Sequence, residues 1–280
     1  KKYLVARFTT LVGTFSNGYK MHKSGITSKT IDNTVAKMKK ASKASKKEVS
    51  SIPKVMHSIW LTNENNPKDI KNEDIENATD NKAFLQRNDP SWKYIVWTNN
   101  KNLIQKSINK LEEKNIEVRS IYEIQDQLKL FDLITKLTQS NHFGMASDIL
   151  RYSILHSQGG VYLDLNFKLL NNIEPYINKY DFLTEYSTNH FFASKPNHVI
   201  LREALNDISE NFADIEQLSD IKHDLTMMMT HVPFVLSIVE NSNTENNVDF
   251  YHAFYNDFNL PNEGLLGEDN VSSANTWHEV

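Results

Sequence analysis

Cysteine is absent from all 280 residues, which removes disulfides, thiolate zinc centres and cysteine nucleophiles from consideration. No run of about 18 apolar residues occurs, so a helix that spans a bilayer is excluded. The opening, KKYLVARFTTLVGTFSNGYK, lacks the apolar core and cleavage site of a signal peptide, and its first residue is not methionine, which reads as a fragment of something longer. An excess of charge of one sign is missing too: 31 basic against 35 acidic residues leave a net charge of −4, no footprint for nucleic acid. Several catalytic signatures are also missing. Without HExxH, GxSxG, GxxxxGKS/T or GxGxxG there is no anchor for a metalloprotease, serine hydrolase, P-loop or dinucleotide reading.

What remains divides into two textures. Residues 1–51 place Ile31, Val35 and Met38 on one helical face and carry six lysines between Lys37 and Lys47. This is expected to be a small helical appendage, either a solvated face or one that docks on an anionic membrane surface. From Ile52 onward, short apolar runs (IPKVMHSIWLT, WKYIVWT, VYLDLNF, FFAS) alternate with helical patterns such as NKNLIQKSINKLEEKN and HVILREALNDISENF. Residues 52–280 therefore read as one α/β domain with a mixed, mostly parallel sheet flanked by helices. In such folds the chemistry lies beyond the carboxyl ends of the strands.

The segment GMASDILRYSILHSQGGVYLDLNF, residues 144–167, concentrates that chemistry. Ile149, Leu150, Ile154 and Leu155 form a buried helical stripe, and Asp148 and Arg151, three apart, are neighbours on one face. Gly159 and Gly160 stop the helix. A strand is expected next, with Val161, Leu163, Leu165 and Phe167 on one face and Tyr162, Asp164 and Asn166 on the other. Oxygen ligands in that arrangement suit Mg²⁺ or Mn²⁺ held with a substrate's own phosphates.

The same segment closely resembles the signature of DXD glycosyltransferases of the GT-A class, above all the group shared by fungal mannosyltransferases and bacterial glucosylating toxins. IPKVMHSIWLT, DPSWKYIVWT, TNHFFASKPNHVI and MTHVPFVLSIV extend the likeness over roughly residues 52–280, and the tail SANTWHEV resembles the toxins' closing segment. The resemblance implies a GT-A (Rossmann-like) fold and a UDP-sugar donor, UDP-GlcNAc or UDP-glucose. By position, Trp60 matches an aromatic that stacks near the uracil, Asp148 and Arg151 the pair that bonds the donor sugar, and Tyr162 a sugar-nucleotide contact. Asp164 matches the first motif carboxylate, which reaches ribose and metal, and Asn189 a site asparagine. Asn275 and Trp277 match the tail residues that meet the metal and a phosphate. The resemblance further implies retention of configuration and, for the toxins, a hydroxyl of a Rho-family small GTPase (Tyr or Thr) in the host cytosol as acceptor; a glycan or lipid acceptor, or a non-catalytic sugar-nucleotide-binding module, is the alternative.

Asn166 departs from the pattern. The family places its metal-binding carboxylate there, and an amide offers one neutral oxygen in place of a charged pair. Either Asn166 is a natural variant that still holds the ion with phosphate help, or it is a near-isosteric replacement that disables the site while sparing the fold. The sequence shows no compensating ligand, which favours the second.

Overall fold

The computed structural model describes residues 52–184, 189–213, 215 and 226–241, together with the strand segments 248–249 and 266–268. The appendage expected over residues 1–51 and the tail residues Asn275 and Trp277 lie outside the described residues. Elements follow in the order β1 (Val55–Trp60), α1 (Asn72–Asn88), β2 (Lys93–Thr98), α2 (Gln105–Glu113), β3 (Glu117–Ser120), α3 (Phe131–Gln139) and α4 (Phe143–Gln158). Then come β4 (Gly160–Leu163), β5 (Phe167–Leu169), α5 (Glu174–Ile177), β6 (Phe182–Thr184), β7 (Phe191–Ser194), α6 (Val199–Ala213), a π-helical turn (Met227–His231), α7 (Val232–Asn241), β8 (Val248–Asp249) and β9 (Leu266–Glu268).

Seven strands form one sheet in the order β3-β2-β1-β4-β7-β6-β8, and β5 pairs with β9 in a second, two-stranded sheet. The pairings β1–β2, β2–β3, β1–β4 and β6–β8 are parallel, whereas β7 runs antiparallel to both β4 and β6. The chain leaves β1 toward β3 on one side and returns to β4 on the other. The carboxyl ends of β1 and β4 therefore flank a topological switch point, where α/β sheets form their ligand crevice.

Alternation along the strands feeds two cores. Ile95 and Trp97 of β2 face the layer that contains α4, while Tyr94 and Val96 face the layer of α1 and α2. α4 is buried almost all round, from Met145 to His156, because it is clamped between the sheet, α3 and α6. Its apolar stripe is thus wider than the spacing suggests, and its polar residues are buried with it.

The Gly-Gly break has a steric cause beyond the turn. Gly159 has φ +68° and ψ −166°, a region only glycine enters, and a Cβ there would lie 2.7 Å from Pro196 Cδ and 2.8 Å from Pro53 Cδ. A Cβ on Gly160, at φ +105°, would meet Val55 O at 2.6 Å and His57 Nε2 at 2.8 Å. His57 is wedged under this break. Its Nδ1 accepts from Trp97 Nε1 (3.1 Å), so Nε2 carries the proton and donates to Gly159 O (3.1 Å). Burial pushes its pKa down to about 4, so it is a neutral structural spacer.

Candidate active site

Arg151 is the centre of the site. It is 2% exposed, and every edge of its guanidinium is used. Nε donates to Ser147 O (3.2 Å), Nη2 to Ser147 Oγ (3.0 Å) and Nη1 to Asn189 O (2.9 Å). Nη1 also lies 3.3 Å from Asp164 Oδ1 and Nη2 3.6 Å from Asp148 Oδ1, while the plane rests over the Tyr162 ring at 4.4 Å. Burial by itself would lower its pKa, but the carboxylates, Asp164 foremost, outweigh that and raise it, so the charge is permanent.

Both oxygens of Asp148 have a partner within the fold. Oδ1 accepts from Asn189 Nδ2 (2.8 Å) and Oδ2 from the buried Thr230 hydroxyl (2.7 Å). Asn189 also donates to Tyr152 OH (2.7 Å), and Tyr152 stacks on Phe234 at 4.7 Å. α4, the segment before β7 and the π-helical turn are thereby tied through one carboxylate. Thr230 lies in the segment MTHVPFVLSIV that carries the resemblance, but the resemblance gives it no role; a π-helical turn placed beside a site is the structural sign.

The strand expected over residues 161–167 is shorter. β4 ends at Leu163, and residues 164–167 form a turn closed by Phe167 N–H on Asp164 O (3.1 Å), so Asp164 and Asn166 share a turn and not a strand face. Asp164 N–H bonds His190 O (2.9 Å), which fixes the start of the turn. Of the Asp164 carboxylate, Oδ1 accepts from the Tyr162 hydroxyl (2.6 Å) and faces Arg151; Oδ2 makes no bond among the described residues. Tyr162 is 1% exposed and burial raises its pKa well above the ordinary value, so its hydroxyl stays a donor that braces Asp164. Asn166 is exposed at the tip of the turn.

Trp60 stands at the carboxyl end of β1, on the other lip of the switch crevice. It is half-buried against the α1 layer, with Nε1 donating to Lys68 O (2.9 Å). The structure thus brings Asp148, Arg151, Tyr162, Asp164 and Asn189 into one bonded network and places Trp60 across from it. One carboxylate oxygen is left open at the crevice.

The donors around that oxygen are hard: the free oxygen of Asp164 and the amide of Asn166. They fit Mg²⁺ or Mn²⁺, and among the described residues no group of three or more His, Cys, Asp or Glu forms a closed metal cage. A substrate's phosphates would have to complete such a site.

Residues 75–183 match the family model described as a glycosyltransferase sugar-binding region containing a DXD motif. The chain is similar to inositol phosphoceramide mannosyltransferase 1 of Schizosaccharomyces pombe, 27% identical over 169 residues, which is 58% of this chain and 44% of that protein. It therefore spans less than half the length of that curated relative. Among solved structures it is similar to the PaToxG glycosyltransferase (TM-score 0.56, 16% identity, 76% of each chain). It is also similar to the UDP-bound glycosyltransferase domain of the YGT toxin (TM-score 0.50, 12% identity, 72% of this chain and 80% of that one). The match to the sugar-binding model thus runs from α1 into β6, and the fold is the GT-A fold of these glycosyltransferase domains.

Proposed function

We propose, from that region and fold, that the chain transfers a hexose or N-acetylhexosamine from a UDP-sugar to a hydroxyl acceptor. The observation that carries the reading is Asp164: one oxygen is pinned by Tyr162 and Arg151, and the other is open at the carboxyl end of β4 beside the switch point. Asp164, with Asn166 at the tip, would hold the cation, which when bound supplies Lewis-acid stabilisation of the departing diphosphate. Asp148 and Arg151, immobilised by Ser147, Asn189 and Thr230, orient the donor without having to reorganise. Trp60 gives an aromatic edge for the uracil on the opposite lip.

A protein acceptor, a hydroxyl on a Rho-family small GTPase in a host cytosol, fits the likeness to toxin domains. Residues 1–51, with their lysine cluster, would bring the enzyme to an anionic membrane surface there. A second reading has one observation in its favour: the curated relative's name speaks of inositol phosphoceramide, a lipid acceptor. The test is incubation with tritiated UDP-GlcNAc or UDP-glucose, Mn²⁺, and either Rho GTPases or glycolipids. Label on the GTPase supports the protein acceptor, and label on lipid replaces it. UDP-sugar binding with neither hydrolysis nor transfer makes the chain a sugar-nucleotide-binding module.

A further inference from the structure

The turn that carries Asp164 and Asn166 is held at both feet by groups outside the Arg151 network. Before it, Ser58 Oγ donates to Leu163 O (2.6 Å) and accepts from Tyr94 OH (2.9 Å). After it, Asn81 of α1 donates to Phe167 O (2.8 Å) and accepts from Leu169 N–H (2.8 Å). Arg151 reaches the turn through Asp164 Oδ1, at its start. None of these bonds ties the far end of the turn to the Asp148 and Arg151 pair; His190 does. Its carbonyl accepts from Asp164 N–H (2.9 Å), and its ring lies on the Phe167 ring, with centroids 4.3 Å apart and planes 1° from parallel. The preceding residue, Asn189, donates to Asp148 Oδ1 (2.8 Å) and accepts from Arg151 Nη1 (2.9 Å). Two consecutive residues thus hold the pair on α4 and both ends of the turn.

Both stacked rings are only half-buried, so the stack takes little apolar surface out of water and core packing is a poor reason for it. Placement is a better one. Asn166 offers a single neutral oxygen, so a cation here relies on the open oxygen of Asp164, and the fold must set where that oxygen stands. We propose that His190 is a positioning residue: stacked on Phe167, it locks the cation turn to the segment that holds Asp148 and Arg151. The inference rests on the glycosyltransferase reading of the site.

The test is Mn²⁺ binding in the presence of UDP, followed by the loss of the free-ion EPR signal. The variants are His190→Leu, Phe167→Leu, the two together, His190→Phe and Asp164→Asn, each with its melting temperature. Leucine fills the space without a ring pair, and His190→Phe keeps the ring. Each leucine variant should weaken Mn²⁺ binding by about three- to tenfold, and the double variant should be no worse than the weaker single one. His190→Phe should bind within about twofold of wild type. Binding unchanged in His190→Leu, losses that multiply in the double variant, or His190→Phe as defective as His190→Leu overturns the assignment. In each of those cases a defective Asp164→Asn leaves the glycosyltransferase reading standing. Mn²⁺ binding that is indifferent to Asp164 overturns both.

Discussion

The two walls of the crevice differ in how much of their polarity is spoken for. On the α4 wall, Arg151, Asp148, Asn189, Tyr162 and Thr230 bond one another until a single Asp164 oxygen is left. On the α1 wall, Asp74 and Asn77 have no hydrogen bond among the described residues, and the Trp60 ring has only its indole N–H engaged. A bonded wall is rigid and sets orientation. An unbonded one is where a ligand supplies the missing partners, so the difference separates what the fold needs from what the substrate needs.

Substitutions on the bonded wall should therefore cost stability, and those on the open wall should cost only ligand. The largest effect is expected at Arg151→Met, which strands Asp148 and Asp164 without their cation: about 3–5 kcal/mol in chemical denaturation, with loss of donor binding. Next is the acid response of His57. Its folded pKa, about 4, lies below the unfolded value near 6.5, so the unfolded chain takes up the proton first. Stability is full above about pH 6.5 and falls by about 3 kcal/mol as pH drops toward 4; His57→Gln should flatten that slope. Gly160→Ala forces a Cβ against Val55 O and should cost about 1–3 kcal/mol. Tyr162→Phe should lose about 1 kcal/mol and lower kcat more than it raises KM, because Asp164 loses its brace. Asp74→Asn, on the open wall, should leave the melting temperature unchanged or slightly higher, since burial already penalises the charged carboxylate and pushes its pKa up to about 6.

The same contrast decides what could be read in advance. β2, β4 and β7 and helix α6 stand out as apolar runs or 3.6-residue stripes because their buried faces are mostly apolar. α1 does not: its buried stripe is Ile75, Asn77, Ala78, Asn81 and Leu85, and two asparagines in it blur the period. Asn81 is there to bond β5, a tertiary demand that no local pattern announces. The turn after Leu163 was hidden for the opposite reason. Leu165 remains 5% exposed inside the turn, so the in-out alternation continues although the strand has stopped. Asp148, Arg151 and Asp164 were legible through their spacing and the family resemblance. The role of Thr230 was not, although its segment carries the resemblance, because it meets Asp148 only through the fold.

Everything proposed for the crevice depends on a divalent cation and a sugar nucleotide meeting at Asp164. Anomalous diffraction at the manganese edge, from crystals grown with Mn²⁺ and UDP, tests it most directly. The expected result is one manganese peak held by the open oxygen of Asp164, with the diphosphate as a further ligand and the uracil beside Trp60. A UDP bound elsewhere, or a manganese peak that does not touch Asp164, would contradict it.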